Sequence, residues 1–206
     1  MAPRRIGLFG GSFDPVHRAH VALAESALAA LSLEALRWVP AGRPWQKARN
    51  ITDAAHRVAM IEAATAHEPR FAIERIELER AGASYTLDTV RALQTAEPGV
   101  QWVLIIGQDQ YAGLHTWHGW QELLARVELA VARRPGETRQ PHPEVRAHPH
   151  QMVPLPMLDI SSTEVRRRVA LGQDITELVP PGVARYIDLH RLYLGPAEGG
   201  THHHRS

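Results

Sequence analysis

The alternation of short apolar runs with helical stretches limits what this chain can fold into. The runs fall at residues 6–9, 36–40, 71–76, 102–106 and 129–132. Trp102-Val103-Leu104-Ile105-Ile106 contains no charged or amide side chain, as expected of a strand covered on both faces. Between the runs, residues 21–31 have helix-forming composition. Thr52 is placed to cap a helix carrying Val58, Met60 and Ile61, and Ser84 or Thr86 to cap one through Leu87, Val90 and Leu93. Further helices are expected at 120–127, 162–171 and 183–189, the last preceded by Pro180-Pro181. Strands alternating with helices of this length make βαβ units. The expected fold is therefore α/β, a Rossmann-like, doubly wound parallel sheet with helices on both faces. Ligands of such sheets sit beyond the carboxyl ends of the strands. Residues 135–149, rich in Pro, His, Glu and Arg, read as a mobile surface excursion, and no internal repeat is evident.

The first junction carries the clearest chemistry. Gly10-Gly11-Ser12-Phe13-Asp14-Pro15-Val16-His17-Arg18-Ala19-His20 follows the first run and leads into the first helix. Glycines let the backbone approach a ligand closely, and free N–H groups with the positive end of a helix dipole favour a phosphate. His17 and His20, three residues apart, lie on one helix face and supply donors whose ordinary pKa is near neutrality. The pattern is neither a P-loop, since no Gly-Lys-Ser/Thr follows, nor the Gly-x-Gly-x-x-Gly dinucleotide fingerprint. A tight turn without a ligand, or a zinc site on the two histidines, are competing readings. The second would need a third ligand that nothing nearby supplies.

A second cluster reads Ile160-Ser161-Ser162-Thr163-Glu164-Val165-Arg166-Arg167-Arg168. Ser161 followed by Glu164 is a capping box, which by itself accounts for a hydroxyl without any ligand. Arg166 sits four residues after Ser162 on the same face, so hydroxyls, first-turn N–H groups and a guanidinium can also converge on one anion. Val165 and Val169 should face the core, and Arg167 and Arg168 the solvent.

Bulk properties narrow the partners. The 206 residues carry 23 basic and 22 acidic side chains, a net charge of +1, which provides no general field for nucleic acid. Any polyphosphate must be gripped locally. The absence of cysteine excludes disulfides, thiolate zinc sites and cysteine nucleophiles. No secretory leader or membrane-length apolar stretch is visible, so a cytoplasmic protein without a membrane partner is expected. One domain is expected over residues 1–195, followed by a polar, histidine-containing tail over 196–206. The sequence leaves the oligomeric state open, a homo-oligomer included.

These residues carry a resemblance to the nucleotidyltransferases related to class I aminoacyl-tRNA synthetases. The stretch ending His17-Arg18-Ala19-His20 resembles their two-histidine signature, and residues 160–166 their Ile-Ser-Ser-Thr-x-x-Arg signature, about 140 residues later. Within that superfamily the chain is similar over nearly its whole length to the bacterial nicotinate-nucleotide adenylyltransferases. The supporting stretches are Pro40-Ala41-Gly42-Arg43-Pro44-Trp45-Gln46-Lys47, Ser84-Tyr85-Thr86-Leu87-Asp88-Thr89, Gly107-Gln108-Asp109, Leu114-His115-Thr116-Trp117-His118-Gly119-Trp120 and Arg133-Arg134-Pro135-Gly136. It departs from the family at Ser12, often threonine, and at Trp45 and Gln46, often proline and histidine.

The resemblance implies AMP transfer from ATP to nicotinate mononucleotide, with magnesium carried by the ATP phosphates and no metal ligand from the protein. It assigns His17, His20 and Arg166 to catalysis. Gly10, Gly11, Ser12, Phe13, Gly107, Asp109, Ile160, Ser162, Thr163 and Arg166 would bind ATP, and Lys47, Thr86, Trp117 and Arg134 the mononucleotide. Phosphopantetheine and nicotinamide mononucleotide are alternative acceptors, and a nucleotide-binding sensor on the same fold is the non-enzymatic alternative.

Overall fold

A computed structural model describes residues 3–42, 51–133, 140–155 and 158–194. In chain order the elements are β1 (Arg5–Gly11), α1 (Arg18–Ala30), β2 (Ala35–Pro40), α2 (Ala54–Thr65), β3 (Phe71–Ile73) and α3 (Ile76–Glu79). They continue with α4 (Thr86–Ala96), β4 (Gln101–Gly107), α5 (Gln108–Ala112), a 3-10 turn (Leu114–Thr116), α6 (Trp120–Arg126) and β5 (Glu128–Arg133). α7 (Pro143–Ala147), β6 (His150–Pro154), α8 (Ser162–Ala170) and α9 (Pro181–Leu189) complete them. The six strands form one sheet in the order β3-β2-β1-β4-β5-β6, every pairing parallel. This is the doubly wound order, whose direction reverses between β1 and β4.

The period-2 alternation of strand side chains divides the core into two layers. Ile6 and Leu8 of β1, Trp102, Leu104 and Ile106 of β4, and Leu129 and Val131 of β5 pack with Leu87, Val90 and Leu93 of α4 and Leu123 and Leu124 of α6. Phe9, Val103, Ile105, Ala130 and Ala132 face the other way, toward Met60 and Ile61 of α2, Val165 of α8 and Val183 and Ile187 of α9. With both faces covered, β1 and β4 are apolar from their second residue onward. Among the described residues no helix is long and apolar enough to cross a membrane.

Several expectations from the sequence are corrected. The stretch read as a surface excursion holds a short helix, α7, opened by Pro143, and is followed by an unforeseen strand, β6, at the sheet edge. Only Val153 of β6 is buried, so the strand has almost no apolar signal. The third strand stops at Ile73, and the residues after it turn into α3 rather than extending the strand to Ile76. Asp53, not Thr52, caps α2, its carboxylate accepting from the Ala55 N–H at 3.0 Å. The cap position of α4 is Tyr85, whose side chain makes no capping bond, so neither Ser84 nor Thr86 serves there. Arg167 and Arg168 are not merely solvated: both donate to Glu164 at 2.8 Å, holding that carboxyl at about 2, well below its usual range. Residues 196–206, read as a tail, lie outside the described residues.

Candidate active site

The site forms where the sheet reverses direction, because β1 and β4 both end there in glycine. α1 begins earlier than its composition suggests, and His17 occupies its N-cap position with His20 three residues on. This spacing turns the His20 side chain back onto the helix start, where its Nδ1 accepts the His17 main-chain N–H at 3.2 Å. With Nδ1 serving as acceptor, the proton of a neutral ring sits on Nε2. The two imidazoles stack with centroids 3.6 Å apart, and the edge of His20 rests against Phe13 at 5.1 Å.

α8 is the second wall. Ser161 caps it, accepting from the Glu164 N–H at 3.2 Å, but the Glu164 carboxylate is engaged by the two arginines instead of completing a capping box. Val165, fully buried, fixes the helix against the core and turns Ser162 and Arg166 toward the β1–α1 turn. The Ser162 hydroxyl donates to the Pro15 carbonyl at 2.9 Å. Arg166 donates through Nη1 to the Asp14 carbonyl at 2.6 Å and through Nη2 to Thr163 Oγ1 at 3.2 Å. The two signatures, far apart in sequence, are thus in direct contact.

Two cavities adjoin at the end of β1 and share Gly10, Gly11, Ser12 and Gln110. The wider, about 690 Å³, is walled by His17, His20, Gly107, Asp109, Ser162, Thr163 and Arg166. The narrower, about 180 Å³, is walled by Thr86 and Trp117 with Glu77, Ser84, Thr89 and Val90. Trp117 is half-buried, its ring shared between this cavity and the core beneath. Two residues expected on the ATP side do not reach a cavity wall with their side chains. Phe13, 1% exposed, packs its ring against Phe9 and Trp38, and Ile160 belongs to the same core, so any ligand contact of theirs is through the main chain. Lys47 and Arg134 lie outside the described residues.

Four residues near the site were not singled out from the sequence. Glu77, on α3, accepts the Thr89 hydroxyl at 2.9 Å, and burial pushes its carboxyl above the usual range against the pull of Thr89, Arg80, Gly42 and Ser84. Asp14 is fully buried behind the turn; its Oδ1 accepts the Tyr193 hydroxyl at 2.7 Å and its Oδ2 the Thr52 N–H at 3.3 Å. Arg57, 1% exposed, donates to the carbonyls of Ser12 and Thr52, both at 2.9 Å. Burial lowers its pKa, an effect that Asp14 opposes. Arg57 had a legible signal, because it shares the inward face of α2 with Met60, Ile61 and Ala64 at helical spacing. Glu77, in a four-residue helix, and Tyr193, beyond the last helix, had none.

A family model described as cytidylyltransferase-like matches residues 8–168. The probable nicotinate-nucleotide adenylyltransferase of Methylibium petroleiphilum is 48% identical over 202 residues, covering 95% of each chain. That of Bordetella pertussis is 45% identical over 199 residues, covering 94% of this chain and all of the relative. The fold is similar to that of Plasmodium falciparum nicotinic acid mononucleotide adenylyltransferase complexed with APC. The TM-score is 0.77 at 19% identity, over 92% of this chain and 97% of the other. The same protein complexed with NaAD gives a TM-score of 0.76 at 21% identity.

Proposed function

From the chain's membership of the nicotinate-nucleotide adenylyltransferases, within the cytidylyltransferase-like family, we infer that it transfers AMP from ATP to nicotinate mononucleotide. The products are deamido-NAD and pyrophosphate, a step of NAD biosynthesis. The observation that carries this reading is the pair of cavities meeting at the glycine-ended strand β1. The reaction needs two anionic substrates held end to end, one phosphate facing the other.

The attacking oxygen belongs to the mononucleotide phosphate, already ionised near neutral pH, so no general base is needed. The protein's work is alignment of the two phosphates and stabilisation of charge that grows on the α-phosphate and the leaving pyrophosphate. In this scheme the wider cavity takes ATP. The His20 Nε2–H and the His17 ring donate to its phosphates, while the first turn of α8, Thr163 and Arg166 hold the pyrophosphate end. Ser162 has a supporting part, since its hydroxyl proton is committed to Pro15. Gly107 and Asp109 lie against the nucleoside.

The narrower cavity takes the pyridine ring, with Trp117 as the stacking surface. α4 begins at this wall without a side-chain cap. Its first-turn N–H groups and positive dipole end suit the carboxylate of nicotinate better than a neutral amide. Lys47 is the candidate for the mononucleotide phosphate, with Arg134 a further mononucleotide contact.

Magnesium would arrive with ATP and neutralise phosphate charge. Asp109 is the one carboxylate among the described lining residues of the wider cavity, and the other polar donors there are imidazole, hydroxyl, guanidinium and amide groups. Such a wall grips an anion, leaving the metal to phosphate oxygens.

The test is pyrophosphate release by the purified protein with magnesium and ATP, using nicotinate mononucleotide, nicotinamide mononucleotide and phosphopantetheine in parallel. Turnover should be fastest with the first. Equal turnover of all three, or of the pantetheine compound alone, would refute the assignment.

A further inference from the structure

Building on that reading, we propose that Tyr193 and Arg57 are positioning residues for adenylyl transfer, holding the turn of residues 10–17 so that its amides, not its carbonyls, face the triphosphate.

A phosphate-binding turn has an intrinsic difficulty. Every peptide unit that offers an N–H also carries a carbonyl oxygen, and a carbonyl facing the phosphates would repel them. In this turn four carbonyls are drawn to donors within the protein. That of Gly11 accepts from the Ala41 N–H at 2.8 Å, that of Ser12 from Arg57 at 2.9 Å, that of Asp14 from Arg166 at 2.6 Å and that of Pro15 from Ser162 at 2.9 Å. The donors come from three places distant in sequence, the residue after β2, α2 and α8, so the arrangement is tertiary and not a property of the turn itself.

Asp14 is where the restraints meet. Its carbonyl holds Arg166, a group that the reaction uses, while its carboxylate receives Tyr193 and the Thr52 amide. Thr52 is in turn held through its own carbonyl by the same Arg57 that engages Ser12. Tyr193 therefore acts on the ATP cavity through Asp14, and Arg57 through Ser12 and Thr52, without lining the cavity themselves. Tyr193 also adopts a left-handed backbone with φ of +63°, unfavourable for a side-chain-bearing residue, and such a conformation persists where the surroundings fix it. Burial raises its phenol well above the ordinary value, so the hydroxyl stays a donor throughout the range in which the enzyme works.

The experiment uses the full chain with Tyr193→Phe, which deletes one hydroxyl, and Arg57→Lys, which keeps the charge but cannot span two carbonyls. Each variant is assayed for kcat and for both KM values well below its melting temperature. Each is also titrated with a non-hydrolysable ATP analogue. Both should lose about 10- to 100-fold in kcat, the scale set by slight misplacement of reacting groups, with the mononucleotide KM nearly unchanged. Tyr193→Phe combined with Arg166→Lys should lose less than the product of the single losses, because both act through Asp14. A purely structural role would lower the melting temperature and leave kcat and analogue affinity within about twofold of wild type, overturning the proposal. Should the wild type not transfer AMP, the functional reading fails on its own. The analogue titration then still decides the positioning role, which requires weaker binding by both variants and is overturned by unchanged binding.

Discussion

The proposed function gives His20 a second job beside the helix-start bond seen in the structure, and substitution can tell the two apart. Its Nδ1 accepts the His17 N–H at 3.2 Å, satisfying one of the orphan amides at the start of α1. Its Nε2 then carries the ring proton that, on the proposed reading, is donated to phosphate. Alanine removes both. Loss of the helix-start bond should cost about 1 kcal/mol, a melting-temperature drop of roughly 2–4 °C for a domain of this size. Lost contact with the rings of Phe13, Phe9 and His17 adds to that. Glutamine at the third helical position can reach back to the same N–H, as in a capping box, but it brings no imidazole to the phosphates. His20→Gln should therefore recover most of the thermal stability that His20→Ala loses. Both variants should show turnover lower by about 10²- to 10³-fold, equivalent to roughly 3–4 kcal/mol of barrier. Thermal melts and the pyrophosphate-release assay on the same preparations give the comparison. If His20→Gln turns over like the wild type, the ring is only a helix cap. If His20→Ala melts at the wild-type temperature, the backbone bond contributes nothing and the tautomer argument fails with it.

Trp117→Ala should weaken mononucleotide binding by about 1–3 kcal/mol while leaving ATP affinity nearly intact; equal losses for both ligands, measured by calorimetry, would return Trp117 to a purely core role. Glu77 has a folded-state pKa above its ordinary value, so the folded protein holds a proton that the unfolded chain has released. Wild-type stability should thus decline as pH rises from the ordinary carboxylate range through the folded value, and the melting temperature of Glu77→Gln relative to wild type should rise over that window; a constant difference would refute the burial effect. Gly10→Ala should leave folding unharmed or improve it by about 0.4–1 kcal/mol, because a strand glycine is entropically costly. The same variant should bind the ATP analogue markedly less well, and unchanged binding in a titration would show that the ligand does not approach Gly10.

The alternation of apolar runs and helices was enough to foresee the layered sheet, because the central strands are continuous apolar segments and the helices bury well-spaced faces. The sheet edge was not legible. β6 buries only Val153, and β3 is three residues long, so neither leaves a period to detect. At the site, His17, His20, Ser162, Thr163 and Arg166 stood out because they belong to contiguous motifs. Their number was legible, but not their division of labour. Nothing in the order Ser162-Thr163 reveals that the first hydroxyl is committed to Pro15 while the second accepts from Arg166. Asp14 was part of a recognised motif and still passed over, because its partners Thr52, Arg57 and Tyr193 come from elsewhere in the chain.

The glycines at the site separate what the fold demands from what the ligand demands. A Cβ on Gly11 would meet the Phe13 ring at 2.9 Å, and one on Gly42 would lie 2.0 Å from the Glu77 carbonyl oxygen, so the protein's own packing explains both. Gly10 and Gly107 are different. A Cβ on Gly10 meets nothing nearer than the Val39 carbonyl oxygen at 4.0 Å, and one on Gly107 meets nothing within 4 Å. Neither has a positive φ that would call for glycine. Each nevertheless sits where a side chain costs the fold nothing, Gly10 one residue before the end of β1 and Gly107 at the end of β4, at the reversal point of the sheet. The space their missing side chains leave opens onto the wider cavity, whose wall they share. A bare backbone where the fold has room for a side chain is what the proposed approach of a ligand to these two residues requires. Gly10 lines both cavities, and on the proposed function it is where the two substrates would meet.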